Sequence, residues 1–342
     1  MPLQKLENAL KKQSGTWIAI TFLVLACLTS WWSLHEIRQQ ALKAAADSLQ
    51  AVNRSVATYL TRQSHEMSAA AASIVVNMPY AELLQRALQP EATRADRFAL
   101  LQVMAPWFVS NGYRDFYLLH ANGEIVAGMR EGDVGAKIPK ELKQTLKQVS
   151  HGEPLLSHPI EVNGKPQVWL MIPLPHAQGV VGSILAVVLH PDLHLGEMMD
   201  VGVRFGESSE TYLVDRSGYL LSRSRFEAQL RRMGLLADGQ SSVLHIRSEN
   251  PDTHQQTEAF EHALQNPDGQ NTEGYLDYRG ERVIGVWQWS KTLDAAVISE
   301  VNLDEALAGF YYTRNLLVLL LAGLLLAGFV IAHRYAHYRR EL

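Results

Sequence analysis

Phe116-Tyr117-Leu118-Leu119-His120-Ala121-Asn122-Gly123-Glu124-Ile125-Val126-Ala127 reads as an apolar strand, an Asn-Gly turn and a second strand. The layout returns at Thr211-Tyr212-Leu213-Val214-Asp215-Arg216-Ser217-Gly218-Tyr219-Leu220-Leu221-Ser222, with Tyr117 and Tyr212 in the same place relative to Gly123 and Gly218. Each hairpin is followed by a helical or polar insert, a further hairpin and a last apolar strand. In the first copy these are Glu161 to Ile172, turning at Asn163-Gly164, and Gly179 to Leu189; in the second they are Leu276 to Trp287 and Ala295 to Val301. The repeat of about 95 to 115 residues is far too long for a solenoid unit and suits a duplicated small domain. Two mixed α+β domains in tandem are therefore expected.

The segment before the first hairpin is helical in character. Between Thr16 and Met78 there is neither Gly nor Pro, and the part beyond the apolar run is rich in Ala, Leu, Gln, Arg and Glu, all good helix formers. Leu42, Ala45, Leu49, Val52, Val56 and Tyr59 alternate three- and four-residue spacings, a short heptad seam that suits either a second copy, making a homodimer, or the helix's own domain. Gln63 and Glu66 break that phase. Met67, Ala70, Ile74 and Met78 begin another stripe, and Asn77-Met78-Pro79 ends the helix. A second helical stretch runs from Tyr80 to about Val109.

Two uncharged apolar runs, Thr16 to Leu34 and Leu316 to Ala332, flank this material. Each is long enough to cross a hydrocarbon core of about 30 Å at about 1.5 Å per residue. Trp17, Trp31 and Trp32 mark the ends of the first run, and Phe310, Tyr311, Tyr312 and Tyr335 flank the second, as interfacial aromatics do. Lys5, Lys11 and Lys12 precede the first and Arg334, Arg339 and Arg340 follow the second, so the positive-inside rule puts both termini in the cytoplasm. A cleaved signal peptide shares the basic start and apolar core, and Val24-Leu25-Ala26-Cys27 loosely resembles a lipobox. The apolar run nevertheless continues through Leu28, Trp31, Trp32 and Leu34 into a helical pattern without a polar tether, which favours a retained anchor. The expected organisation is a cytoplasmic N-terminus at 1–15, a transmembrane helix at 16–34, a stalk helix at 35–78, a membrane-distal lobe at 79–199, a membrane-proximal lobe at 200–310, a second transmembrane helix at 315–333 and a cytoplasmic tail at 334–342.

Composition removes several functions. A formal charge of −4 leaves no global basic excess, and no domain-sized stretch is rich enough in Lys and Arg for nucleic acid. The one cysteine, Cys27, sits in the first apolar run, so the polar part holds neither a disulfide nor a cysteine metal cluster. There is no phosphate-binding Gly loop, no G-x-S-x-G and no H-E-x-x-H, so no enzyme activity and no cofactor are expected. His190 and His194 flank Asp192 at a spacing that would share a helix face, but Pro191 and the lack of a further ligand favour an inter-lobe cap over a metal. His333 and His337 read as interfacial anchors beyond the second run.

From about His35 to Arg314 the residues resemble the double Cache (tandem PAS-like) sensor domains of bacterial chemoreceptors, histidine kinases and nucleotide cyclases. Glu210-Thr211-Tyr212-Leu213-Val214-Asp215 with Ser222-Arg223-Ser224-Arg225-Phe226 looks like that family's opening hairpin. Gly274-Tyr275-Leu276-Asp277-Tyr278-Arg279-Gly280 with Val283-Ile284-Gly285-Val286-Trp287, closing on Ile298-Ser299-Glu300-Val301, is equally typical. The resemblance implies a long helix rising from the membrane, a ligand-binding distal lobe, and a proximal lobe joined to the second span. Amino-acid-binding members carry an Arg-x-Trp-Tyr run in the distal lobe; Met129 to Trp169 holds none, which counts against an amino-acid ligand.

A pocket in such a lobe is walled by one sheet face and the loops crossing it. Tyr117, Trp169 and Met171 are the candidate walls, with Arg130 and His158 on connecting loops as polar contacts. Each aromatic also suits a core, and Arg130 also suits a solvated loop. The expected function is a bacterial inner-membrane receptor subunit sensing an extracytoplasmic small molecule. Its output is expected from a separate cytoplasmic kinase, cyclase or phosphatase, or from the missing part of a longer receptor, because the chain ends at Leu342 without such a module. The alternative is a non-catalytic periplasmic docking or assembly subunit that binds a protein partner.

Overall fold

The computed structural model describes residues 2–76, 78–110, 113, 115–149, 151–175, 181–189, 206–266, 268–291 and 293–341. The chain divides into two compact units, Met1–Asp47 with Leu303–Leu342, and Ser48–Asn302. Helix α1 (Pro2–Val76) contributes to both. Uninterrupted helix over most of that length follows from the lack of Gly and Pro between Thr16 and the helix end, with Gly15 the one glycine inside α1.

The first unit also contains α7 (Leu303–Ala306) and α8 (Ala308–Glu341). In α8, Ala308–Ile331 has a mean hydropathy of 2.3 and none of it is buried within the molecule. Leu319 and Leu324 are each 70% exposed, an arrangement that suits a surrounding apolar phase and is costly in water. Among the described residues this is the one helix that length and composition single out as able to cross a membrane. The earlier apolar run lies within α1, where Val24, Leu25, Leu28, Trp31 and Trp32 are likewise exposed.

The second unit holds two antiparallel sheets. The first, labelled distal after the expectation from sequence, comprises β1 (Asp115–His120), β2 (Ile125–Gly128), β3 (Leu155–Leu156), β4 (Ile160–Val162), β5 (Lys165–Pro175) and β6 (Val181–Leu189) in the order β2-β1-β6-β5-β3, with β4 also on β5. The proximal one comprises β7 (Glu210–Val214), β8 (Asp268–Leu276), β9 (Arg282–Ser290) and β10 (Ala295–Asn302) in the order β7-β10-β9-β8. The first hairpin turns at Gly123, whose φ of +83° is open to glycine at no steric cost. The second has a shorter return than its sequence suggests. Val214 and Leu220 form a single bridge, because the Leu220 N–H donates to the Ile246 carbonyl and its carbonyl accepts from Leu244.

Strand alternation splits each sheet into two apolar faces. In the distal lobe Phe116, Leu118, Leu170, Leu185 and Val187 pack with Met67 of α1 and with α2 (Met78–Ala87) and α3 (Arg94–Ser110). The expected single helix before β1 is thus two, and α3 starts at a capping box: the Thr93 N–H donates to Asp96 and the Asp96 N–H to Thr93 Oγ1. The opposite face carries Tyr117, Leu119, Trp169, Met171, Ile184, Ala186 and Val188, covered by Leu142, Val149 and Ile160 around α4 (Lys143–Val149) and β4.

The proximal sheet repeats the scheme. One face, with Leu213 and Val297, packs on Val56 and Leu60 of α1. The other, with Tyr212, Val214, Trp287 and Ile298, packs under α5 (Glu227–Arg232) and α6 (Glu258–Gln265). Asn53 fastens α1 there, donating to the Val297 carbonyl at 2.9 Å and to Ser299 Oγ at 3.0 Å. The upper part of the heptad seam therefore packs on the chain's own lobe, while Tyr59 stays half exposed. Met67 joins the distal core as its new stripe implied; the side chains of Ala70, Ile74 and Met78 lie outside the described residues.

Candidate functional site

The distal face turned away from α1 gathers three of the five predicted residues. Register places Tyr117 of β1 opposite Ala186 of β6, and Ala186 opposite Met171 of β5. The small Ala186 leaves space above it, and there the Tyr117 and Trp169 rings stack with centroids 5.3 Å apart and planes 7° from parallel. On the other side of Tyr117 lies Gly128 of β2, where a Cβ would meet Tyr117 Cδ1 at 2.5 Å. The aromatic ring fits because that residue has no side chain.

Charged groups rim the stack. The Tyr117 hydroxyl donates to Asp133 Oδ2 at 3.1 Å, and Arg130 Nη2 donates to Asp115 Oδ2 at 2.9 Å. Burial, with Asp115 and Asp133 adding, raises the Tyr117 pKa, so the phenol stays a neutral donor. Trp169 Nε1 donates to Gln167 Oε1 at 3.2 Å, and the Trp169 N–H to Ser157 Oγ at 2.8 Å. Arg130 thus stands at the rim of the face, while Tyr117, Trp169 and Met171 are closely packed within it, 7%, 3% and 0% exposed. The arrangement is a filled aromatic face whose rim carries a phenol hydroxyl, two carboxylates and a guanidinium, paired with one another.

His158 goes elsewhere. Its Nε2 lies 2.8 Å from the Leu293 carbonyl oxygen, on the loop between β9 and β10 of the proximal sheet, and since a carbonyl only accepts, Nε2 carries the proton. The ring lines a cavity of about 410 Å³ with Glu141, Gln148, Lys291 and Asp294. Two neighbours missed in the sequence reading, Asp115 and Asp133, matter as much as the predicted residues; the spacing Asp115-x-Tyr117 puts both on one face of β1, which alternation alone would have supplied. His190 and His194 lie outside the described residues. Among the described residues no three His, Cys, Asp or Glu side chains converge as a metal shell.

The proximal counterpart is a buried polar core. Tyr212, placed on its sheet as Tyr117 is on the distal one, donates to Glu300 Oε2 at 3.0 Å, and Tyr275 donates to Glu300 Oε1 at 2.7 Å. Burial, reinforced by Asp277 and opposed by the tyrosine hydrogen bonds, pushes the Glu300 pKa up to about 8. Glu210 accepts from the Tyr278 hydroxyl and from the Arg225 N–H. Asp277 and Arg279 form a buried ion pair at 2.6 Å, with the guanidinium 3.9 Å from the Phe226 ring centroid. These polar groups are satisfied by one another, while Trp287 Nε1 in the same core is buried without a hydrogen-bond partner among the described residues.

No protein family's sequence profile matches the chain, and no curated protein does. Solved structures do. The sensor domain of the Vibrio cholerae histidine kinase DctB is 12% identical, with a TM-score of 0.50 over 77% of this chain and 98% of its own. The ligand-binding domain of the Campylobacter jejuni chemoreceptor Tlp3, solved with 4-methylisoleucine, is 13% identical, with a TM-score of 0.51 over 79% and 93%. An extracellular ligand binding receptor from Desulfohalobium retbaense matches over 74% of this chain but only 40% of its own length, at 16% identity and a TM-score of 0.45. The chain has the fold of the Cache-type extracellular sensor domains. Within that class it is a double lobe, with a distal and a proximal sheet strung along one helix.

Proposed function

We propose that this chain is a membrane-anchored sensor whose distal lobe receives an extracytoplasmic small molecule and whose two spans pass its state to a cytoplasmic signalling protein. The observation that carries this reading is covalent: β10, the strand at the centre of the proximal core, ends at Asn302 and continues without a loop into α7 at Leu303 and the apolar helix α8. A shift of that sheet has a short mechanical route to the span. The Tlp3 and DctB domains share the fold and support the sensor role by analogy. The ligand acts only through its differential affinity for two lobe arrangements, and His158 on the Leu293 carbonyl is one contact through which the lobes report to each other.

The test is thermal unfolding of the detergent-purified full chain against a broad panel of metabolites. A chemically related set that raises Tm supports sensing. Silence across the panel, with capture of a defined periplasmic protein, sinks the proposal in favour of a docking subunit.

A further inference from the structure

On the other side of the distal sheet from the Tyr117–Trp169 stack, a cleft of about 850 Å³ opens between α3 and the segment that leaves β2. Its walls are apolar: Phe98, Leu101 and Ala105 on α3, Met129 and Val134 on the β2 side. Phe98 is 58% exposed and Met129 38%, so the two largest apolar groups at the cleft are open to solvent, unlike the closely packed aromatic face. The charges at its rim are two cations, Arg94 and Arg97, and one anion, Glu131. Arg94 Nη2 holds Glu131 Oε2 at 2.5 Å across the mouth, and Arg97 spends Nη1 on the Ala92 carbonyl at 3.1 Å, which leaves most of a five-donor guanidinium uncommitted to that bond.

We propose that this cleft binds an aromatic monocarboxylate, with the ring against Phe98 and Met129 and the carboxylate between Arg94 and Arg97. The inference rests on the distal lobe being the ligand-receiving unit and names where and what it receives. The volume falls within the range of small-molecule sites, about 300–1,000 Å³. A flat ring gains from the Phe98 face and the Met129 thioether. A planar carboxylate matches the guanidinium fork and balances the one excess positive charge of the lining residues. Its arrival competes with Glu131 for Arg94. The turn that carries Glu131 also carries Asp133, the acceptor of the Tyr117 hydroxyl, so occupancy of the cleft reaches the aromatic face through that turn.

The experiment is isothermal titration of the full chain in detergent micelles with sodium naphthoate and with uncharged naphthamide, with empty micelles as the blank. Naphthoate is expected to bind, and Ala105→Trp, which fills the cleft, to weaken it roughly tenfold or more. Gln102→Trp, at an exposed position on the same wall, guards against a folding defect in the first variant and is expected to weaken binding in the same way. Arg94→Gln with Arg97→Gln should weaken naphthoate roughly tenfold and leave naphthamide unchanged. Naphthoate binding that survives both tryptophan variants overturns the cleft assignment, as does failure to bind at about 1 mM. If metabolites in the wider panel stabilise the wild type and Ala105→Trp alike, the cleft is overturned while the sensor reading stands; if naphthoate and the whole panel are silent and a periplasmic protein is captured, both fall.

Discussion

Replacing Glu300 by Gln should flatten the pH dependence of stability across neutrality, up to about pH 8. The carboxyl is 2% exposed and meets the Tyr275 and Tyr212 hydroxyls, one on each oxygen, at 2.7 and 3.0 Å. Burial, with Asp277 adding, holds its folded pKa at about 8. In the unfolded chain the same carboxyl titrates at about 4.3. Between those values folding takes up a proton, so stability from this group is complete below the unfolded pKa and is lost as pH rises through the folded one. The limiting slope is about tenfold in the folding equilibrium per pH unit, worth roughly 3–5 °C in Tm for a domain of this size. Gln imitates the protonated acid, with one acceptor oxygen and one donor facing the two tyrosines, and it carries no titrating proton. Thermal unfolding of the full chain and of Glu300→Gln, followed by tryptophan fluorescence from about pH 6 to pH 9, isolates the group in the difference between the two curves. The variant should gain on the wild type as pH rises from about 6 to about 8 and hold that gain above it. Parallel curves would show that Glu300 does not exchange a proton on folding in this window and would refute the reasoning.

Trp169→Ala removes a ring that is 3% exposed and stacked on Tyr117, and should cost about 3–5 kcal/mol, read as a lowered Tm. Asn53→Ala leaves the Val297 carbonyl without its side-chain donor from α1 and should cost about 1–3 kcal/mol in the same assay; a loss below that would mean apolar packing alone seats the helix. For topology, a reporter enzyme active only outside the cytoplasm should work when inserted at the Asn163-Gly164 turn and stay inactive when fused after Leu342. The reverse pattern would invert the proposed orientation.

The sheets were legible because their signals are local. Asn122-Gly123 and Asn163-Gly164 mark their turns, and alternation in β1 and β5 already sorts Phe116 and Leu170 from Tyr117 and Trp169. The second hairpin was less so. Thr211 to Ser222 has the pattern of two strands, yet Leu220 is drawn to the Ile246 and Leu244 backbone from a distant stretch, and one bridge remains. The heptad seam was ambiguous for a related reason: spacing shows that Val56 lies on a buried stripe but not what buries it, and the answer is Leu213 and Val297, far along the chain.

For the site, sequence chose side chains by type and strand parity, which placed Tyr117, Trp169 and Met171 on one face. It did not show that Ala186 and Gly128 shape that face, that Arg130 pairs with Asp115, or that His158 turns to the other lobe. By itself the sequence determined the apolar runs, the long helix, the duplication and the inner and outer face of each strand, because periodicity and turn chemistry act over a few residues. Tertiary structure decided register, the partner of each loop charge, and which face is filled and which cleft is open. Those depend on contacts between residues tens to hundreds of positions apart, and no local spacing encodes them.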